Sequence, residues 1–269
     1  MKANPAEKVR RRVAVILGPG GSSVKLLDVV LPLLGRDRSI EMQGIFLEEA
    51  ELKHAAELPF VKELCRVTFN VREFNSDQFD RVLALRMRTA QRALSLLAKR
   101  AGVTHSFRNV RGSAARLLFD TASQADIVIF EPARNMAAAM STRPVRTHPL
   151  PRIAVALGDP ETSGGALLAA VRLAGGEMRR ISVWLTPGAV ASSESLEKLL
   201  AQIASGSAAQ IRTLPDFSVE SLVSAARSEG SSMLVLAATS DLMQAENLHI
   251  LHQSLRCPIC LVRSWDSED

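Results

Sequence analysis

The sequence predicts an α/β protein of two tandem units with mainly parallel sheets, and three observations carry that expectation. Residues 12–18 read RVAVILG and residues 152–158 read RIAVALG, identical at five of seven positions and 140 residues apart. Each copy runs into a small-residue turn, GPGGSS over 18–23 or GDPETSGG over 158–165, and each turn into an apolar periodic stretch. Short apolar runs then alternate with helix-period segments in both halves, the pattern of right-handed βαβ crossovers over a parallel sheet. A self-similarity of this length exceeds any solenoid unit and describes a duplicated domain.

Taken in order, Val13 to Leu17 is a continuous apolar run closed by Gly-Pro-Gly-Gly, as in a buried parallel strand. Ser22 and Ser23 are placed to cap a helix from Val24 to Leu34. Ile40 to Leu47 reads as a second strand. Residues 48–77 are irregular, with short helical pieces expected around Glu49–Glu57 and Phe60–Arg66. Gln78 to Arg100 is the longest helix: Phe79, Val82, Leu83, Met87, Ala90, Leu94 and Leu97 recur at three and four, and Gly102 stops it. Ser106 to Val110 is a third strand, Gly112 to Ala122 a helix, and Asp126 to Phe130 a fourth strand.

The proline-rich segment that follows is a linker, 135–151, and the second unit repeats the order. Ile153–Leu157, Arg180–Leu185, Ala209–Thr213, Met233–Ala237 and Pro258–Val262 read as strands. Ala166–Ala174, Leu196–Ile203, Val219–Ser228 and Ala245–Leu255 read as helices. The domain expectation is therefore a first unit over 9–134, with an insert at 48–77 and no closing helix and strand, and a complete second unit over 152–264. Between first and fourth strands, copy one takes 114 residues (Val13 to Ile127) and copy two 80 (Ile153 to Met233).

Composition narrows the class. Hydrophobic residues at 47% and charged residues at 23% are those of an ordinary globular chain. No apolar core follows the basic start MKANPAEKVRRR, and no run reaches the roughly 18 apolar residues of a membrane span, so neither a signal peptide nor membrane insertion is expected. Three cysteines make no disulfide framework, and a cytoplasmic location is the expectation. The net charge of +5 is scattered along the chain, and with no tyrosine there is little to stack on bases; no nucleic-acid partner is expected.

Several constellations resolve to structure rather than chemistry. Cys257-Pro-Ile-Cys260 has redox spacing but starts a strand, where positions three apart face opposite sides. His249 and His252 upstream complete four potential zinc ligands on incompatible faces, so no metal is expected. Neither GPGGSS nor SGG at 163–165 continues into a complete phosphate-loop motif, and both read as tight strand-to-helix turns. No Ser/His/Asp triad or carboxylate pair is apparent, so no catalytic residue is expected. The 48–77 insert holds Leu58, Pro59, Phe60, Val61, Leu64 and Phe69, enough apolar surface for a private pocket or a dimer contact.

The duplicated order, the segment VRGSAARLLFDTASQADIVIF (110–130) with Asp126, and the closing LHQSLRCPICLV (251–262) with Cys257-Pro258 resemble a tandem universal stress protein. That resemblance implies a Rossmann-like, three-layer αβα fold. It also implies a test for ATP, because ATP-binding members carry an Asp at the end of the first strand. The matching positions here are Gly18 and Gly158, with Asp159 one residue later. The family's phosphate loop, G-x2-G-x9-G-[ST], uses glycines to let backbone N–H groups cradle phosphate. Copy two instead reads AATSDLMQAENL (237–248), with Ala245-Glu246 at the final Gly-Ser, and copy one reads EPARNMAAAM (131–140).

What the resemblance then implies is a non-catalytic protein acting in stress response or regulation through binding, with no cofactor and without family-type ATP binding. Its partners would be a second copy, giving a homodimer, an unidentified protein or a small molecule, with the insert as a lid in the last case. The alternative is an ATP-binding or weakly ATP-hydrolysing protein that keeps one pocket around Gly158, Asp159, Thr162 and Ser163.

Overall fold

A computed structural model describes residues 11–19, 23–35, 37, 39–64, 69–133, 152–158, 160–187, 209–239 and 241–264. The first half contains β1 (Arg11–Leu17), α1 (Ser23–Leu34), β2 (Ile40–Glu49), α2 (Ala50–Glu57), β3 (Lys62–Leu64) and β4 (Val71–Glu73). It continues through α3 (Ser76–Ala101), β5 (Thr104–Gly112), α4 (Ala114–Gln124) and β6 (Ile127–Phe130). The second half contains β7 (Ile153–Leu157), α5 (Pro160–Leu173), a 3-10 turn (Met178–Arg180), β8 (Ile181–Leu185) and β9 (Gln210–Thr213). Then come α6 (Val219–Glu229), β10 (Met233–Ala237), α7 (Ala245–Ser254) and β11 (Ile259–Val262).

Nine of these strands form one sheet in the order β5-β2-β1-β6-β11-β10-β7-β8-β9. Every neighbouring pair is parallel except one: β11 lies antiparallel to β6, with Ile259 opposite Phe130 and Val262 opposite Ile127. The sheets of the two halves are therefore continuous. Counted within its own half, each runs third, second, first, fourth strand outward-in. Among the described residues the first half has no fifth strand, and β11 of the second half covers the edge of β6 that would otherwise carry unpaired backbone groups. Because the seam is antiparallel, the carboxyl ends of the two sets of strands face opposite ends of the molecule.

Strand alternation supplies both faces with apolar side chains. Val13, Val15 and Leu17 join the core beneath α1, α3 and α5, while Ala14 and Ile16 join the core beneath α4, α6 and α7. The result is a three-layer αβα fold. Helix ends follow local chemistry. Asn75 Oδ1 accepts from the Gln78 N–H at 2.9 Å to open α3, and Gly102 closes it at φ +71°, a left-handed conformation that glycine adopts without strain.

Two expectations are corrected. The helical piece expected at Phe60–Arg66 is the antiparallel β3–β4 hairpin instead, with Leu64 opposite Val71; Val61 accepts the Phe74 N–H and extends the pairing. Helix α5 starts at Pro160 rather than Ala166, because a proline at the first helical position lacks only an N–H that would go unused there. The sheets of the two units join into one. The expected helix 196–203 and the linker 135–151 lie outside the described residues.

Candidate functional site

At the carboxyl end of the second half, β7 ends at Leu157 and Gly158 follows. The Gly158 carbonyl accepts from Thr186 Oγ1 at 3.2 Å, and Leu214 N–H donates to the Leu185 carbonyl at 2.7 Å, so the strand ends are knitted to one another. Above Gly158 stands the ring of Phe217. A Cβ built at Gly158 would lie 3.1–3.2 Å from three ring carbons, so a glycine is needed for the ring to sit this close.

The turn that carries Phe217 is held by its neighbours. Asp216 Oδ1 accepts from the Ser218 N–H at 3.0 Å, Ser218 Oγ at 2.6 Å and Ser221 Oγ at 2.5 Å. Those hydrogen bonds, to Ser218 first and Ser221 second, hold the Asp216 carboxyl below its ordinary range. Ser218 Oγ in turn accepts the Ser221 N–H and caps α6.

The predicted site residues are brought together only in part. Gly158 sits at the strand end, while Thr162 and Ser163 lie within α5 rather than on a loop. Ser163 is buried at 2% exposure, with no hydrogen-bond partner for its Oγ. Asp159 lies outside the described residues. The early start of α5 also absorbs Ser163-Gly164-Gly165 into helix, where the sequence reads as a tight strand-to-helix turn.

The connection from β10 to α7 is short. Met243 N–H donates to the Thr239 carbonyl and Asn247 Nδ2 to the Asp241 carbonyl at 2.7 Å, and α7 opens without a side-chain cap. Its first turn carries Glu246, a carboxylate at the helix end whose N–H groups would otherwise favour an anion. The first half ends its strands on acid too: Glu48 and Glu49 on β2, and Glu131 after β6. Glu48 is neutralised by Arg111 at 3.2 Å and accepts from Asn109 Nδ2 at 2.6 Å. Burial, and then the charge of Glu51, push the Glu49 carboxyl up.

The cysteine and histidine cluster separates as strand geometry requires. Cys257 packs into the core under α4, α6 and α7, and Cys260 into the opposite core. Burial pushes the Cys257 thiol up to about 12 and the Cys260 thiol up as well, which suppresses the thiolate that redox chemistry needs. His252 is buried beside Phe130, ring centroids 6.2 Å apart, while His249 is exposed. Among the described residues no three His, Cys, Asp or Glu side chains are grouped to hold a metal. No described helix is long and apolar enough to cross a membrane.

Phe217 escaped the sequence reading because PDFS (215–218) reads as a turn; an aromatic inside such a turn was the available signal.

No family model matches the chain, and no curated protein matches it. Among solved structures it is similar to a universal stress protein from Archaeoglobus fulgidus DSM 4304, at 12% identity and a TM-score of 0.44, over 95% of this chain and 97% of that one. It is also similar to the cytoplasmic domain of a prokaryotic cation chloride cotransporter, at 9% identity and a TM-score of 0.41, over 94% of this chain and 96% of that one.

Proposed function

We propose that this chain is a non-catalytic regulatory protein of the universal-stress-protein kind, acting in stress response through binding and not through ATP held in that family's manner. The observation that supports this reading is the Phe217 ring seated on Gly158, where the family's nucleotide would enter. The missing glycines after β10 and the Glu246 carboxylate at the start of α7 support it further. The reading takes the protein as cytoplasmic, without metal, cofactor, nucleic acid or membrane, and with a second copy, another protein or a small molecule as partner.

Titration calorimetry of the full chain with magnesium and ATP tests it. No heat beyond dilution is expected; micromolar, magnesium-dependent affinity would overturn the reading.

One observation favours the second reading, an ATP-binding or weakly ATP-hydrolysing protein. The buried Ser163 hydroxyl, without a partner at the start of α5, is a donor such a pocket could use. That reading requires nucleotide to accompany the purified protein and to be lost in Asp159→Ala.

A further inference from the structure

A cavity of about 260 Å3 opens beneath α4, at the amino ends of β1 and β2. It lies at the opposite end of these strands from Gly18, Glu48 and Glu131. Strand alternation aims Arg12 and Ala14 of β1, and Glu41 and Gln43 of β2, at one face of the sheet, and Thr121 and Gln124 close the cavity from the last turns of α4.

Its polar groups make no hydrogen bonds to one another among the described residues. Arg12 and Glu41 are register partners on adjacent strands, yet among the described residues no hydrogen bond or ion pair engages the Arg12 guanidinium or the Glu41 carboxylate; the hydrogen bond of Arg12 to Asp126 is made by its backbone. The Gln43 and Gln124 amides likewise have no side-chain partner among the described residues. Thr121 is 3% exposed and its Oγ1 has no hydrogen-bond partner. A buried hydroxyl left unmade is costly, and Thr121 is the buried one here; Glu41 and Gln43 are half-buried, and Arg12 and Gln124 stand exposed at the rim, where a ligand can reach them.

The second half provides an internal control. Aligning Ala14 with Ala154 pairs Gln43 with Ser182 and Ile45 with Trp184, through the registers of β1 with β2 and of β7 with β8. There the corresponding space between strand and helix end is filled by the Trp184 indole. It is fully buried and donates to Glu229 Oε2 at 2.8 Å and to Ser182 Oγ at 3.1 Å. Where the second half places its own side chain, the first half leaves a polar cavity.

We propose that this cavity binds a small zwitterion of the free amino-acid class, with its carboxylate on Arg12 and its ammonium on Glu41. Charge complementarity selects the zwitterion, because a lone anion or cation would engage only one of Arg12 and Glu41. The negative end of the α4 dipole favours the ammonium on the helix side. The volume falls just below the range of about 300–1,000 Å3 typical of larger ligands. Gln43, Gln124 and Thr121 supply donors and acceptors for the ligand's side chain, and Ala14 and Ala125 give it an apolar wall.

Titration calorimetry of the full chain with each free amino acid in turn tests the site. At least one is expected to bind, with Arg12→Gln and Glu41→Gln each weakening it about tenfold or more, and Thr121→Val weakening it less. Propionate and ethylamine, which carry one charge each, are expected to bind more weakly than that amino acid. Circular dichroism verifies that the variants fold. Absence of binding by every amino acid up to about 10 mM would overturn the proposal, as would binding that both charge variants leave unchanged. ATP is tested at the other end of the molecule, so either result stands apart from the other.

Discussion

Asp126 and Arg263 are 137 residues apart in the chain and 3.3 Å apart in the fold, across the antiparallel seam that joins the two halves. The Asp126 carboxylate also accepts from the Arg12 N–H at 2.8 Å and from Ser264 Oγ at 2.7 Å, and the Asp126 carbonyl accepts the Arg263 N–H at 2.8 Å. One residue thus fixes the start of β1, the start of β6 and the end of β11.

Asp126→Ala should therefore destabilise the protein by about 2–3 kcal/mol, since it strands a backbone donor and two side-chain donors at once. Arg263→Ala should cost about 1 kcal/mol or less, because its side chain is 46% exposed and the pair is screened by water. Urea denaturation of the two variants beside the parent measures the difference. Equal losses would contradict a hub centred on Asp126.

His252 gives the fold a pH dependence with a defined sign. Burial, and secondarily the charge of His249, push it down from 6.5 to about 4. Between those values the unfolded chain takes a proton that the folded chain refuses. Its contribution is therefore complete above pH 6.5 and declines as pH falls to about 4, by about 3 kcal/mol in all. His252→Phe, which keeps a ring beside Phe130, should flatten that part of the stability curve. An unchanged slope in the variant would assign the pH response to other groups.

Gly44 marks a close approach between β2 and α3. A Cβ there would come within 2.6 Å of Leu94 Cδ2 and 2.9 Å of Phe107 Cδ2. Gly44→Ala should cost about 1–3 kcal/mol through overpacking against the fully buried Leu94. Combining it with Leu94→Ala should give less than the sum of the two single losses, as read from denaturation midpoints. Strict additivity would mean that the two side chains do not compete for the same space.

The paired cysteines should be chemically silent. In a Cys65→Ser background, Cys257 and Cys260 should react with a thiol reagent only after denaturant is added, because both are buried with raised thiol values. Rapid labelling of the native protein at neutral pH would show that this region opens.

Much of the scaffold was legible because strand cores announce themselves. RVAVILG and RIAVALG are β1 and β7, and the Leu94 and Leu97 stripe does face the core from α3. Local breakers misled at GDPETSGG, where three glycines and a proline suggest a loop but the proline starts a helix. The insert misled for another reason: Phe60 and Phe69 sit at φ +68° and +55°, left-handed conformations that a phenylalanine does not advertise.

The sites were less legible still, because they depend on contacts distant in sequence. Phe217 meets Gly158 only through the sheet, and nothing near Gln43 indicates that Thr121 will face it across a cavity. Polar residues on a strand and a helix read as solvated faces until the fold sets them opposite one another. The sequence leads one to expect a first half without a closing strand of its own, but not its replacement by β11 beside β6.

That replacement bears on how copies of the chain can meet. β11 is engaged on both flanks, by β10 and by β6, so the middle of the sheet offers no seat to another molecule. Among the described residues, the strand edges that the nine-stranded sheet leaves open are its outer margins, β5 and β9, which stand at opposite ends of the sheet and belong to different halves. Two like margins would close a pair, whereas β5 against β9 would leave a fresh margin at each end and propagate into a filament.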